Sequence, residues 1–330
     1  MYIFHYTSID SAISIISHCS FRATNMRDLD DKQELFGGLK PLCSSMEDLQ
    51  KQCRLNGLAT FSWKLGNSIL RMEPNYFFAI SFCKKENHTF MWKNYASVDG
   101  CCIVFDKEKL LRAFNNVCYP RNSKCYSLYP VKKDFIPCKY FYEDDMLEKA
   151  AEYLNNNIEI EETLNGYQSK RNFNLSQPYI YGKPLTSLAD LNNHSDIESQ
   201  PTIDPFDAAT RILAFALCIK QKGTEYHYEQ EEEERIVFHP TFLYPFKGKS
   251  NSGKKYIEVK ITPSLFLQSI KQIRLSPSCT DCTESAKKLQ QEIAPIYEKY
   301  GIAMPPIKCS LLSKLKAVVF RLRCVFPIKN

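Results

Sequence analysis

The chain has 330 residues, of which 44% are hydrophobic, 13% aromatic and 24% charged, with a formal net charge of +6. That is ordinary globular usage, and 21 Phe and 19 Tyr can fill a sizeable core, which excludes a disordered or low-complexity chain. The opening Met1-Tyr2-Ile3-Phe4-His5 has no basic stretch, and no apolar run approaches the ~20 residues that span a bilayer. The expectation is a cytoplasmic protein without signal peptide or transmembrane segment.

In chain order, residues 2–7 alternate as a strand, with Ile3, His5 and Thr7 on one side and Tyr2, Phe4 and Tyr6 on the other. Ser8 fits an N-cap for a short helix carrying Ile9, Ala12, Ile13 and Ile16 on one face. Residues 21–24 read as extended and 25–34 as a polar loop. Helix is expected over 46–71, strand over 76–83, a short helix over 88–96, strand over 100–106 and helix over 107–115. Strand follows near 131 and over 139–142, then an amphipathic helix over 144–158. Residues 172–205 are rich in Asn, Ser, Pro and Asp and read as a long loop or insertion. An apolar helix is expected over 206–222, strands over 235–238 and 256–261, a helical turn over 263–270 and a short strand over 273–275. A last helix spans 285–300 and stops at Gly301, a normal residue after a helix end.

Strands separated irregularly by helices favour a mixed α+β fold over a doubly wound sheet. The expected organisation is one domain over 1–330. Its core covers about 2–275, its insertion 172–205, and a C-terminal helix and basic segment 283–330, with Lys308, Lys314, Lys316, Arg321, Arg323 and Lys329. The positive balance permits anionic ligands, a nucleotide or nucleic acid among them.

The chain has 14 Cys, scattered except for Cys279-Thr280-Asp281-Cys282. One such pair, with no second pair and no nearby His, is a weak zinc signal, so no metal is expected. The cysteines read as reduced, buried, small hydrophobes.

Three separated segments carry a combined pattern. They are Phe4-His5-Tyr6-Thr7-Ser8 with Phe21-Arg22-Ala23-Thr24-Asn25, then Ser81-Phe82 with Met91-Trp92-Lys93-Asn94-Tyr95, Gly100 and Phe105-Asp106, and finally Lys222, Tyr228 and the run Glu231-Glu232-Glu233-Glu234-Arg235-Ile236-Val237. In these segments the chain resembles a bacterial family catalogued as domain of unknown function 2971, over about 2–275. It departs from that pattern at Asp30-Asp31-Lys32, where the family carries Asn and Pro. Members resemble defence-associated proteins.

A remoter similarity is to ADP-ribosyltransferases, which open with a His-bearing strand, a helix and a short strand. This implies an ADP-ribosyltransferase-like mixed sheet with flanking helices and a helical insertion. It also implies NAD as substrate and a His5, Tyr95, Glu233 triad. On that reading Glu233 stabilises positive charge developing on the ribose, and Glu231 orients the acceptor. His5 donates a hydrogen bond to a ribose hydroxyl with Thr7 assisting, Tyr95 stacks on nicotinamide with Trp92 on the same helix face, and Arg22 takes the pyrophosphate. Arg235 joins the cofactor-binding set, or pairs with Glu231 or Glu233.

The implied activity is ADP-ribosyl transfer or NAD glycosidic cleavage in a phage-defence or toxin effector, with a protein or nucleic-acid acceptor. Two other readings stand beside it. One is a non-catalytic nucleotide- or nucleic-acid-binding module. The other is a partner-binding component of a defence system.

Overall fold

A computed structural model describes residues 1–29, 77–96, 98–115, 130–131, 134–142, 179–180, 183–184, 210, 213–222, 232–240, 248–249 and 253–309. The helices expected over 46–71 and 144–158, Glu231, and the basic segment from 310 lie outside these residues. So does most of the 172–205 stretch. Two compact units are formed. The first comprises Met1–Asp28, Phe77–Cys138 and Thr224–Asn330, and the second Leu29–Tyr76 and Lys139–Gly223.

In the first unit, alternation makes β1 (Tyr2–Ser8), which runs into α1 (Ile9–His18). Ser8 Oγ accepts from the Ser11 N–H at 3.2 Å, a cap contributing about 0.5–2 kcal/mol. Ile9, Ala12 and Ile16 bury one face of α1. The helix ends where Cys19 turns left-handed (φ 46°) and its N–H reaches the carbonyls of Ile15 and Ile16. β2 (Ser20–Asn25) then leads away.

β3 (Phe78–Cys83) precedes a helical turn, α2 (Thr89–Met91), which continues as a π-helix over Trp92–Ala96. β4 (Gly100–Asp106) and α3 (Lys107–Asn115) follow, then β5 (Ile136–Pro137). The second unit contributes β6 (Lys139–Tyr142), β7 (Tyr179–Ile180), β8 (Lys183–Pro184) and β9 (Ile219–Lys222). The first unit resumes with β10 (Glu233–Phe238), β11 (Gly248–Lys249), β12 (Lys255–Lys260), α4 (Pro263–Ser269), β13 (Ile270–Leu275), α5 (Cys282–Lys299) and β14 (Ile307–Lys308).

Ten strands of the first unit join in one open, mostly antiparallel sheet with flanking helices. Its organiser is β3. One edge of β3 pairs along its whole length with β10, Glu233 opposite Cys83 through Phe238 opposite Phe78. The other edge is shared. β2 takes its start (Asn25 opposite Phe78, Thr24 opposite Ala79) and β1 its end (Phe4 opposite Cys83). The sheet therefore divides there into one arm through β2, β12 and β11 and another through β1, β4, β13 and β14. Among the described residues, only β13 and β14 pair in parallel within it.

Strand parity sorts the two faces. Ile3, Ile80, Phe82, Ile103, Phe105, Ile236 and Phe238 enter the main core, where Phe21, Phe114 and Phe266 meet them. Each fully buried side chain of this size contributes about 1.5–3 kcal/mol. Phe4, Tyr6, Cys83, Cys102 and Val104 form a smaller cluster on the opposite face, under Met91, Trp92 and Ala96.

One element differs in kind from expectation. Residues 219–222 end the expected 206–222 helix as strand β9, because they pair in parallel with β6, Lys139 opposite Ile219 through Tyr142 opposite Lys222. Helical geometry in that stretch is confined to 210 and 213–216 among the described residues. Within the 172–205 stretch, β7 and β8 form a two-residue antiparallel pair.

Candidate functional site

A groove of about 460 Å³ is lined by His5 and Thr7 of β1, by the outer residues of α1 and by Ser20, Phe21 and Arg22 of β2, with Glu258 of β12. It forms because α1 turns its apolar side to the core, which leaves Asp10, Ser11, Ser14 and His18 for the groove. β1 and β2 share one edge of β3 at different heights, so α1 bridges strands that have parted. Ligand sites commonly enclose about 300–1,000 Å³.

His5 is half-buried and packs edge-on against Phe21 at 5.5 Å between ring centroids. Its Nδ1 lies 3.1 Å from Ser81 O. A carbonyl only accepts, so Nδ1 carries the proton in this bond. Burial lowers the His5 pKa below its ordinary value, outweighing the opposing effect of the Ser81 bond. The ring is thus neutral at pH 7, and Nε2 has no partner among the described residues. It offers an acceptor, whereas the sequence reading gave His5 a donor's part.

Arg22 is exposed, and its guanidinium stands over the Tyr256 ring at 4.9 Å. On the neighbouring strand Glu258 registers directly opposite Arg22 and accepts from Ser20 Oγ at 3.1 Å. Asp10 is held by Lys288 at 2.8 Å, and His18 Nδ1 donates to Ser14 O at 2.8 Å. The groove thus offers a guanidinium for an anion, and a carboxylate and an imidazole nitrogen as hydroxyl acceptors.

The remaining expected site residues lie elsewhere. Glu233 and Phe4 both register with Cys83, so all three face the same way, and His5, next to Phe4, faces the other. The His5, Tyr95, Glu233 triad therefore does not converge on one cleft. Glu233 is 5% exposed and Arg235 2%, and they are joined by bonds of 2.6 Å (Nε to Oε1) and 3.1 Å (Nη2 to Oε2). Arg235 is thus a structural partner of Glu233 and does not line the groove.

Trp92 packs on Tyr6 at 4.9 Å, on the face opposite His5. Tyr95, three residues on, is 41% exposed while Trp92 is 7% exposed. The π-helix separates them, because its wider turn removes the shared face that an α-helix gives residues three apart. Neither lines the groove.

The acidic run has a buried end. Glu234 pairs with Lys107 at 2.6 Å and Lys84 at 3.1 Å, and is 5% exposed. Sequence reasoning missed Glu258, Ser20, Asp10 and His18. A polar outer face on α1 was the available signal for Asp10 and His18.

The architecture defines a mixed α/β protein with an open, mostly antiparallel sheet. Residues 91–235 match the model of the family described as Protein of unknown function (DUF2971), so the resemblance read from the sequence is shown over that stretch. The match contains Trp92, Tyr95, Glu233 and Arg235, whereas His5, Thr7 and Arg22 precede it. No curated protein and no solved structure matches the chain. Among the described residues, no helix is long and apolar enough to cross a membrane, and no group of three or more His, Cys, Asp or Glu is arranged to hold a metal ion.

Proposed function

We propose that the groove between β1, α1 and β2 binds a phosphorylated ribonucleotide, with NAD or its ADP-ribose portion as the ligand class. The observation that carries this reading is the meeting of His5, Thr7 and Arg22, three residues expected to contact cofactor, on one groove with Glu258. A ribose diol presents donors, which suit a carboxylate and a neutral imidazole nitrogen. A phosphate presents charge, which suits an exposed guanidinium. Calorimetric titration with NAD, ADP-ribose and AMP tests the reading, with Arg22→Ala as control. Binding of none of the three would refute it.

A second reading adds chemistry. Glu258 supplies the groove with the carboxylate that Glu233 was expected to supply. A carboxylate beside the ribose stabilises the oxocarbenium-like charge that develops as the bond to nicotinamide breaks. On this reading the divided sheet is ADP-ribosyltransferase-like, and the protein transfers ADP-ribose or hydrolyses NAD. The family resemblance implies a defence role, and protein or nucleic acid is the acceptor on this reading. Nicotinamide release that disappears in folded Glu258→Gln supports this reading. Binding without release, with and without a mixture of cellular acceptors, leaves the non-catalytic module.

A further inference from the structure

Cys279 and Cys282 lie in the turn that leads from β13 into α5. The turn is well anchored. The Cys279 N–H donates to Ser276 O at 3.0 Å, Thr280 donates through its N–H and Oγ1 to Asp99 Oδ1 at 3.3 and 3.2 Å, and Asp281 caps α5. Cys282 is the first residue of that helix, and its Sγ turns back toward Cys279 O at 3.8 Å. Cys279 Sγ lies 3.4 Å from Ser285 Oγ. The two thiols differ in access, since Cys279 is buried and Cys282 half-buried.

A pair with one reachable thiol and one recessed thiol against it suits two-step exchange. The reachable sulfur meets the external reagent, and the recessed one resolves the mixed species. Burial pushes the Cys279 thiol up, outweighing the opposing effect of the Ser285 hydroxyl, which suits a resolving group better than a first attacker.

We infer that Cys279 and Cys282 form a reversible thiol–disulfide exchange pair whose co-reactant is a small-molecule disulfide of the glutathione class. Cys282, as thiolate, attacks one sulfur of that disulfide. The S–S bond of the reagent breaks, one small thiolate leaves and takes up the proton that Cys282 gave, and a mixed disulfide remains on Cys282. Cys279 then gives up its proton and attacks Cys282 Sγ. The mixed disulfide breaks, the Cys279–Cys282 bond forms, and the second small thiol leaves with that proton. Two protein thiols are oxidised, and one small disulfide is reduced to two thiols.

Cys309 is the competing partner, since its Sγ lies 3.9 Å from Cys282 O. The test exposes the full chain to graded ratios of oxidised to reduced glutathione, alkylates remaining thiols and maps unreduced peptides by mass spectrometry. The expected result is a peptide with neither Cys279 nor Cys282 alkylated and lighter by two hydrogens. Excess reduced glutathione reverses this, and Cys309 stays alkylated. In Cys279→Ser the reaction stops at glutathione on Cys282. Alkylation of both cysteines at every ratio, a wild type that stops at the mixed disulfide, or a bridge to Cys309 would overturn the inference.

Discussion

His5 Nδ1 stands 3.1 Å from Ser81 O, on the edge of β3 that β1 and β2 share. Among the described residues, β2 pairs with Phe78 and Ala79 and β1 with Cys83, so a side chain bonds the carbonyl at Ser81. The residue expected to meet ligand therefore also joins the strands around the groove.

Removing that donor leaves a partly buried carbonyl without its partner. His5→Leu is expected to cost about 1–3 kcal/mol. His5→Asn, whose amide nitrogen takes the place of Nδ1, is expected to cost less. Urea denaturation at unchanged m-value measures both.

The same ring predicts a pH effect. Burial lowers its folded-state pKa, so as pH falls through 6.5 the unfolded chain takes up a proton that the folded chain refuses. Stability present above pH 6.5 is lost as pH falls toward the lowered value. Burial lowers His239 as well, and its effect has the same sign. The difference between wild type and His5→Asn isolates His5. The variant is expected to lose less stability between pH 7 and 5 in urea titrations.

Glu233 and Arg235 are predicted to matter for stability rather than ligand affinity. Glu233→Gln leaves the buried guanidinium facing a neutral amide, at a cost of about 3–5 kcal/mol. Folded Glu233→Gln is expected to bind nucleotide as wild type does. A double-mutant cycle with Arg235→Met measures the pair, and the double variant is expected to recover much of the loss.

Gly100 begins β4 four positions after the π-helix ends at Ala96, and a Cβ there would overlap the carbonyl of Ala96. Backbone cannot give way as a flexible side chain can. Gly100→Ala is expected to cost about 1–3 kcal/mol by overpacking, with a changed near-ultraviolet dichroism from the packing around Trp92.

Much of this architecture was legible in the sequence. β1, β3 and β4 announce themselves by alternation or by short apolar runs, and α1 by Ser8 and the spacing of Ile9, Ala12 and Ile16. The site was legible in part. His5, Thr7 and Arg22 belong to one local unit, strand–helix–strand, which the similarity to ADP-ribosyltransferases singled out. Glu233 depended on register across β1, β3 and β10, and no local pattern says which way a neighbouring strand faces. Glu258 reaches the groove only because β12 pairs with β2, far away in sequence. The burial of Glu233 and Glu234 depends on Arg235, Lys84 and Lys107, two of them distant in the chain. Strand β9 follows from its ladder with β6, which overrides the apolar pattern that precedes it.

The central claim is tested most directly by calorimetric titration of ADP-ribose into wild type, Arg22→Ala and folded Glu233→Gln. The account predicts saturable binding by wild type, roughly 10- to 100-fold weaker binding by Arg22→Ala from loss of a charged hydrogen bond, and unchanged affinity for Glu233→Gln. Absence of binding by wild type, or affinity lost with Glu233 and indifferent to Arg22, would contradict it.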